Sequence, residues 1–255
     1  MKAGTLILSA LAIFALAYWI FDGAITWLQL PSSPIRVILY QLLVFGPLVV
    51  FAYRYGELDK ISLAETKGLS KKILLLMLGV CLAQGATLNL AQEVFSNAPI
   101  QLDLPFRPVG VLAFISVVVI APILEESIFR GFLFPTLEKI VPTPVAFLMT
   151  AVLFSAMHAT PKYALATFGM SLGLTYIYHV TRSLSTVIVI HALINLVGWT
   201  VFNLGTGSQV REPTDQHLIE SAVGLLISTV FATIAFFIIK NTARKVHLRL
   251  AQQEA

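Results

Sequence analysis

Six polar side chains in or beside long apolar stretches are the candidates for chemistry in this sequence. They are Glu125, Glu126, Arg130, His158, His191 and Asn195. An ionisable side chain at membrane depth costs about 2.5–3.5 kcal/mol on insertion scales, so such groups face a protein interior or a water-filled cavity and commonly mark a functional site. The six come from three separate apolar segments, and one shared polar cavity would satisfy all of them together.

The first group follows the apolar run 108–124 and contains two adjacent carboxylates. Glu126 and Arg130 are four residues apart, so on a helix they share a face and can form an ion pair. Glu125 is rotated by about 100° from its neighbour and is not obliged to share that arginine. A carboxylate without a fixed partner in an apolar pocket is a candidate general base. The alternative is that both glutamates only form ion pairs at the membrane surface.

The second and third groups supply two imidazoles and an amide. His158 closes an apolar segment, where a lone histidine is commonly a capping or interfacial group. His191 and Asn195 share a helix face, where they could also serve as interhelical hydrogen bonds that hold a bundle. Together, Glu and His can deprotonate a water, and His and Asn can donate to the oxyanion that forms when water attacks a carbonyl. The combination favours amide hydrolysis.

A bound metal is the other chemistry that these residue types allow. Glu125, His158 and His191 resemble a zinc ligand set, although the HExxH pairing of soluble zinc proteases is absent. We also expect no serine nucleophile motif such as G-x-S-x-G. Asn195 is a poor zinc ligand and a good oxyanion donor, which favours a reaction without a cofactor and leaves zinc as the alternative.

The composition indicates the environment of these groups. Of the 255 residues, 57% are hydrophobic and 12% are charged, and the mean hydropathy is +0.85. A soluble domain has about 25% charged residues, so this chain lacks the polar residues to cover a globule in water. The basic residues flank apolar runs, which fits anchoring at a membrane face and argues against binding of nucleic acid.

Eight apolar segments predict an all-α, polytopic membrane helical bundle with about eight transmembrane helices. They are residues 5–27, 37–53, 73–92, 109–134, 145–158, 163–180, 184–202 and 222–239. Most are continuously apolar over about 17 to 25 residues, unlike the alternating strands of a membrane barrel. No linker separates soluble domains, so residues 1–255 are predicted to form one membrane domain. Residues 169–173 form a small-xxx-small motif, which predicts close packing of the sixth segment against a neighbour.

The distribution of Lys and Arg predicts the orientation. With an even number of spans and both termini in the cytoplasm, thirteen basic residues face inward and four face outward. We expect the membrane to be the inner membrane of a bacterial cell, and the first segment to be an uncleaved helix. This topology puts Glu125 near the cytoplasmic end of the fourth segment but His158 toward the outer end of the fifth. Their convergence requires the fifth helix to start deep in the membrane or to continue beyond His158.

Three motifs in order resemble those of the CAAX-protease and bacteriocin-processing family of intramembrane endopeptidases: Glu125-Glu126-x-x-x-Arg130, Phe154-x-x-x-His158 and His191-x-x-x-Asn195. The resemblance covers about residues 108–197, which would be the catalytic core. It implies that Glu126 and Arg130 form a supporting pair that keeps the site in shape.

The resemblance also implies roles for the other motif residues. Glu125 would activate the attacking water with help from His158. His191 and Asn195 would form the oxyanion hole, and Phe154 would shape the pocket. The substrate would be a peptide or membrane protein, prenylated or not, that is met within the lipid bilayer.

Two other functional classes are compatible with the same helices. One is an inactive membrane scaffold or regulator, which the intact set of motifs disfavours because a non-catalytic relative could lose any of them. The other is a small proton-coupled transporter whose Glu and His side chains relay protons. Transporters of this size often contain a duplicated half with interrupted helices, and this sequence has no such duplication.

Overall fold

The computed structural model of the chain describes residues 2–28, 33–55, 110–158 and 161–204. Every regular element in these residues is helical, which confirms the all-α prediction. We number six helices in this part of the chain: α1 (Ala3–Leu28), α2 (Pro34–Tyr55), α3 (Val111–Leu137), α4 (Thr143–Ala156), α5 (Pro161–Thr181) and α6 (Leu184–Leu204).

Three of the described helices, α1, α2 and α3, are long and apolar enough to cross a membrane. They contain 26, 22 and 27 residues, and each has a mean hydropathy of 2.1 over its most apolar stretch. Large hydrophobic side chains cover their outer surfaces, with Trp19 and Trp27 among the most exposed. The predicted segments 73–92 and 222–239 lie outside the described residues, as do most of the 54–72 loop and the basic tail, so the count of eight spans stays a prediction.

Helices α3 and α4 form an antiparallel hairpin joined by a tight turn at residues 138–142. Two edge-to-face ring contacts define its register, Phe134 with Phe147 and Phe129 with Phe154, each with centroids 5.0 Å apart. The second contact places the last turn of α4, a helix of 14 residues, beside Phe129 of α3. The approach of His158 to Glu125 stays a prediction.

The acidic motif lies near the middle of α3, so the prediction that it lies near the end of its helix is wrong. The apolar run ends at Leu124, but the helix continues to Leu137. Two stretches of α3, Ile115–Ile120 and Phe129–Leu133, have the wider turns of a π-helix. Such turns inside α-helices are frequent at functional sites, and the second one contains Arg130.

Helices α2, α5 and α6 pack around α3 and complete the described bundle. On one side, the Gln41 amide of α2 and Ser116 of α3 exchange hydrogen bonds, of which the shorter is Ser116 Oγ to Gln41 Oε1 at 2.9 Å. On the other side, α5 turns into α6 through Arg182, which has a positive φ of 50°. The acidic motif is thus enclosed by three neighbouring helices.

Candidate active site

Glu126 and Arg130 form a fully buried ion pair within α3. Arg130 Nη1 donates to Glu126 Oε1 at 2.7 Å, and both side chains are 0% exposed. The pairing predicted from their spacing of four is therefore present. Glu126 Oε2 is also buried, but it accepts no hydrogen bond from the described residues. The carboxylate is consequently held through Oε1.

His191 reaches the same carboxylate oxygen from α6. Its Nδ1 lies 2.7 Å from Glu126 Oε1, across 65 residues of sequence, and its side chain is 2% exposed. Because an ionised carboxylate only accepts, Nδ1 carries the hydrogen and Nε2 points the other way. A carboxylate bonded to Nδ1 fixes both the tautomer and the orientation of an imidazole.

Glu125 is the motif carboxylate with access to solvent. Its side chain is 19% exposed, and its Oε2 lies 3.9 Å from Nε2 of His191. That separation is too long for a direct hydrogen bond, and a water could contact both groups at once. The sequence-based distinction between one paired and one less constrained glutamate therefore holds in the structure.

His158 lies beyond the end of α4 and stacks on Phe154. Its Nδ1 is 3.0 Å from the carbonyl oxygen of Phe154, and the two rings are 5.1 Å apart. A carbonyl accepts, so Nδ1 again carries the hydrogen and Nε2 has the lone pair. Phe154 also contacts the ring of His191 at 6.0 Å and lies under the guanidinium of Arg130 at 4.7 Å. Phe154 thus forms the wall between the two histidines.

Asn195 donates from Nδ2 to the carbonyl of Val117 on α3 at 2.9 Å. In that wide turn of α3, the N–H of Ala121 donates to Ser116 O, one residue further back than in an α-helix. The next residue is Pro122, which has no N–H. In this hydrogen-bonding pattern, the residue that would donate to the carbonyl of Val117 is a proline. The side-chain amide of Asn195 donates to that carbonyl instead.

Sequence reasoning missed two site residues on α5, Ser171 and Thr175. Arg130 Nη2 donates to the carbonyl and the hydroxyl of Ser171 at 2.9 and 2.7 Å, and Nε donates to Thr175 Oγ1 at 3.3 Å. The available signal was two hydroxyl residues four apart in an apolar helix, together with an intramembrane arginine that has more donors than one carboxylate can accept.

Residues 169–173 also require two corrections. A Cβ on Gly169 would meet no described atom within 4 Å, so the close helix approach predicted there is wrong at this position. The same five residues read G-x-S-x-G, a pattern of serine hydrolases, so the expectation that this motif is absent is wrong. That motif acts at a sharp strand-to-helix turn with an exposed hydroxyl, whereas Ser171 is fully buried within a helix and binds Arg130.

The proposed zinc ligands do not converge as placed. Within the described ranges, no three His, Cys, Asp or Glu side chains are grouped so that they could hold a metal ion. Glu125 and His191 face each other, but His158 is hydrogen-bonded to the Phe154 carbonyl. The arrangement that the side chains do form suits a water between a carboxylate and an imidazole.

Comparison with known proteins finds similarity over the part of the chain that contains the motifs. Residues 107–197 match the model of the family described as type II CAAX prenyl endopeptidase Rce1-like. The chain is 33% identical over 105 residues to the "UPF0177 protein in abiGi 5′ region" of Lactococcus lactis subsp. cremoris. That alignment covers 41% of this chain and 40% of the relative, so it spans about two fifths of the relative's length. No solved structure matches the chain significantly.

The matched residues 107–197 contain all three polar motifs and the whole of α3 and α4. The long apolar helices show an integral membrane protein. Residues 107–197 of this chain are similar to the Rce1-like CAAX prenyl endopeptidases, in agreement with the three motifs.

Proposed function

We propose that the chain is an intramembrane endopeptidase that hydrolyses a peptide bond with a water activated by Glu125, and that residues 108–197 are its catalytic core. The observation that supports this most directly is the solvent-accessible carboxylate of Glu125 opposite Nε2 of His191, 3.9 Å away.

The proposed reaction begins with Glu125 as general base. It removes a proton from a water, with help from His158, and the water oxygen attacks the carbonyl carbon of the scissile bond. The proton then passes to the leaving amine as the C–N bond breaks. One water is consumed, and its oxygen ends on the new carboxyl group while one hydrogen ends on the amine.

The oxyanion that forms in the attack would be bound by His191 and Asn195. Nε2 of His191 is a donor in the form of the imidazole that carries hydrogen on both nitrogens. Asn195 uses one amide hydrogen on Val117, and its second hydrogen is the other donor. Preorganised donors of this kind are commonly worth about 10²–10³ in rate.

The site lies in a membrane, so its substrates are peptides or membrane-protein segments that reach it from the lipid bilayer. The CAAX name of the matched family makes a prenylated peptide one class to test. We further propose a bacterial inner-membrane location with both termini in the cytoplasm, on the basis of the inward excess of Lys and Arg.

The first experiment compares purified wild type with Glu125→Gln in lipid nanodiscs. Two substrates are offered, a fluorogenic peptide with a transmembrane segment and a farnesylated peptide with a CAAX end. We expect Glu125→Gln to lower kcat by about 10²–10⁴-fold, because it removes the general base and keeps the shape of the side chain. The matched control is Glu138→Gln, the same change in a carboxylate that contacts Arg182 and His179 outside the site.

The alternatives give different results in the same assay. Equal turnover by wild type and Glu125→Gln would remove the proposed base. Loss of turnover with a strong chelator, restored by Zn²⁺, would instead support the zinc mechanism. No turnover of either substrate by wild type, together with retained partner binding or proton transport, would support a scaffold or a transporter.

A further inference from the structure

We infer that Ser171 and Thr175, which we call the arginine cradle, are positioning residues of the active site, and this inference rests on the proposed endopeptidase function. The cradle lies on α5, one of the three helices enclosing the acidic motif, and neither the family motifs nor the proposed mechanism assigns α5 a role. It acts on the reaction only through Arg130.

The cradle satisfies most of the hydrogen-bonding capacity of a fully buried guanidinium. Of the five N–H donors of an arginine, three are directed to α5: the two of Nη2 to the carbonyl and hydroxyl oxygens of Ser171, and that of Nε to Thr175 Oγ1. Nη1 donates to Glu126, and the ring of Phe154 lies against the guanidinium face. The planar guanidinium is thus hydrogen-bonded along its edge to residues of α3 and α5, and one of its faces packs on the Phe154 ring. Its position and its plane are both fixed by these contacts.

Thr175 is itself oriented within the cradle. Its hydroxyl donates to Ser171 O at 2.7 Å, so its oxygen lone pairs are turned toward Arg130. Ser171, Thr175 and Arg130 are 0% exposed, and water therefore cannot replace a lost acceptor without entering the bundle. A buried donor left without an acceptor costs about 1–3 kcal/mol, and more when it is charged.

The consequence for catalysis follows from the single oxygen that Arg130 and His191 share. Both donate to Glu126 Oε1, so a shift of the guanidinium moves the carboxylate and changes the direction of His191 Nε2 relative to Glu125. A misplacement of about 1 Å at a reacting group can cost about 100-fold in rate. The cradle thus sets the geometry of the Glu125–His191 pair from a distance.

The test measures kcat and KM for Ser171→Ala, Thr175→Val and the double variant in nanodiscs. Each change removes a hydroxyl acceptor from Arg130 with little change of volume. We expect kcat to fall by about 10-fold for each single variant and about 100-fold for the double variant, from the usual cost of a charge-assisted hydrogen bond. KM should stay within about twofold, since the cradle does not touch substrate.

Two comparison variants separate positioning from general packing. Thr175→Ser keeps the acceptor and should retain wild-type kcat. Thr150→Val removes a hydroxyl of α4 that is equally buried and donates to its own helix, at Ala146 O, and it should leave kcat unchanged. Wild-type kcat in the double variant, or an equal loss in Thr150→Val, would overturn the inference.

A second measurement does not need activity. In ¹⁵N-histidine-labelled protein, the hydrogen-bonded Nδ1–H of His191 gives a resonance that His191→Gln removes. We expect this resonance to shift or broaden in the double variant and to stay in place in Thr150→Val. If wild type cleaves neither substrate, the proposed function fails and this resonance alone tests the cradle. An unchanged resonance in the double variant would refute the cradle even if the enzyme is active.

Discussion

The protein contains the same three side-chain types, Glu, Arg and His, in two clusters at different depths. The inner cluster consists of Glu126, Arg130 and His191. The outer cluster consists of Glu138, Arg182 and His179. In both, one carboxylate accepts from an arginine at 2.7 Å and faces Nδ1 of a histidine, at 2.7 Å in the inner cluster and 3.0 Å in the outer cluster. Side chains of the inner cluster are at most 2% exposed, whereas those of the outer cluster are 15–51% exposed.

The comparison teaches that similar contacts have different energetic and functional meaning. The outer cluster joins the turn after α3 to the last turn of α5, and water can solvate any member that loses its partner. The inner cluster has no water to replace a partner, so each member depends on the other two. Of these two clusters, only the inner one faces Glu125, through Nε2 of His191 at 3.9 Å.

The largest expected difference comes from neutralising the two carboxylates. Glu126→Gln leaves a buried Arg130 without its counter-charge and should lower the free energy of unfolding by about 3–5 kcal/mol. Glu138→Gln should lower it by at most about 1 kcal/mol. Unfolding by SDS titration of protein in mixed micelles measures both. Similar losses in the two variants would contradict the comparison.

The next difference concerns the shape of the cation. Arg130→Lys keeps the charge but cannot donate to Glu126, Ser171 and Thr175 at once, so it should cost about 2–3 kcal/mol of stability. Arg182→Lys can still reach Glu138 at the surface and should cost less than about 0.5 kcal/mol. The same SDS titration measures both variants. If Arg130→Lys were as stable as wild type, the simultaneous hydrogen bonds of the planar guanidinium would not contribute to stability.

A smaller difference is expected from the rings beside the two arginines. Phe154 lies 4.7 Å from the Arg130 guanidinium, and Tyr178 lies 5.9 Å from that of Arg182. In double-mutant cycles that combine Phe154→Leu with Arg130→Met and Tyr178→Leu with Arg182→Met, we expect coupling energies of about 2 and 0.5 kcal/mol. A larger coupling energy in the outer cluster than in the inner one would contradict the expected order.

The smallest expected effect is the response to salt. At 1 M NaCl the Debye length is about 3 Å, so the stability difference between wild type and Glu138→Gln should disappear. The difference for Glu126→Gln should persist, because bulk ions do not enter the bundle. The same SDS titrations with and without salt measure this, and a salt-sensitive Glu126→Gln difference would indicate that water reaches the inner cluster.

Much of the local structure could be predicted from the sequence. The seventh apolar segment, 184–202, corresponds to α6, and the spacing of Glu126 and Arg130 predicted their ion pair. These features depend on helical periodicity, which is a property of neighbouring residues. The predicted fourth segment, 109–134, covers nearly the same residues as α3. Glu, Glu and Arg interrupt the hydropathy of this helix, and partners on other helices make their burial tolerable.

The contacts that assemble the site could not be predicted in this way. Glu126 meets His191 across 65 residues, and Arg130 meets Ser171 across 41. The sequence around Ser171 fits either a small-residue packing motif or a serine hydrolase motif. The structure shows neither, because Ser171 is buried and accepts hydrogen bonds from Arg130. No spacing rule relates residues on different helices.

By itself, the sequence determined that this chain is a helical membrane protein and which side chains are too polar to face lipid, because hydropathy and helical spacing are local quantities. The tertiary structure decided which of those side chains share a hydrogen bond, which glutamate keeps contact with water, and that α5 holds the arginine. A buried charge is stable only when its partners surround it in three dimensions, so the packing of helices distant in sequence settles what each polar residue does.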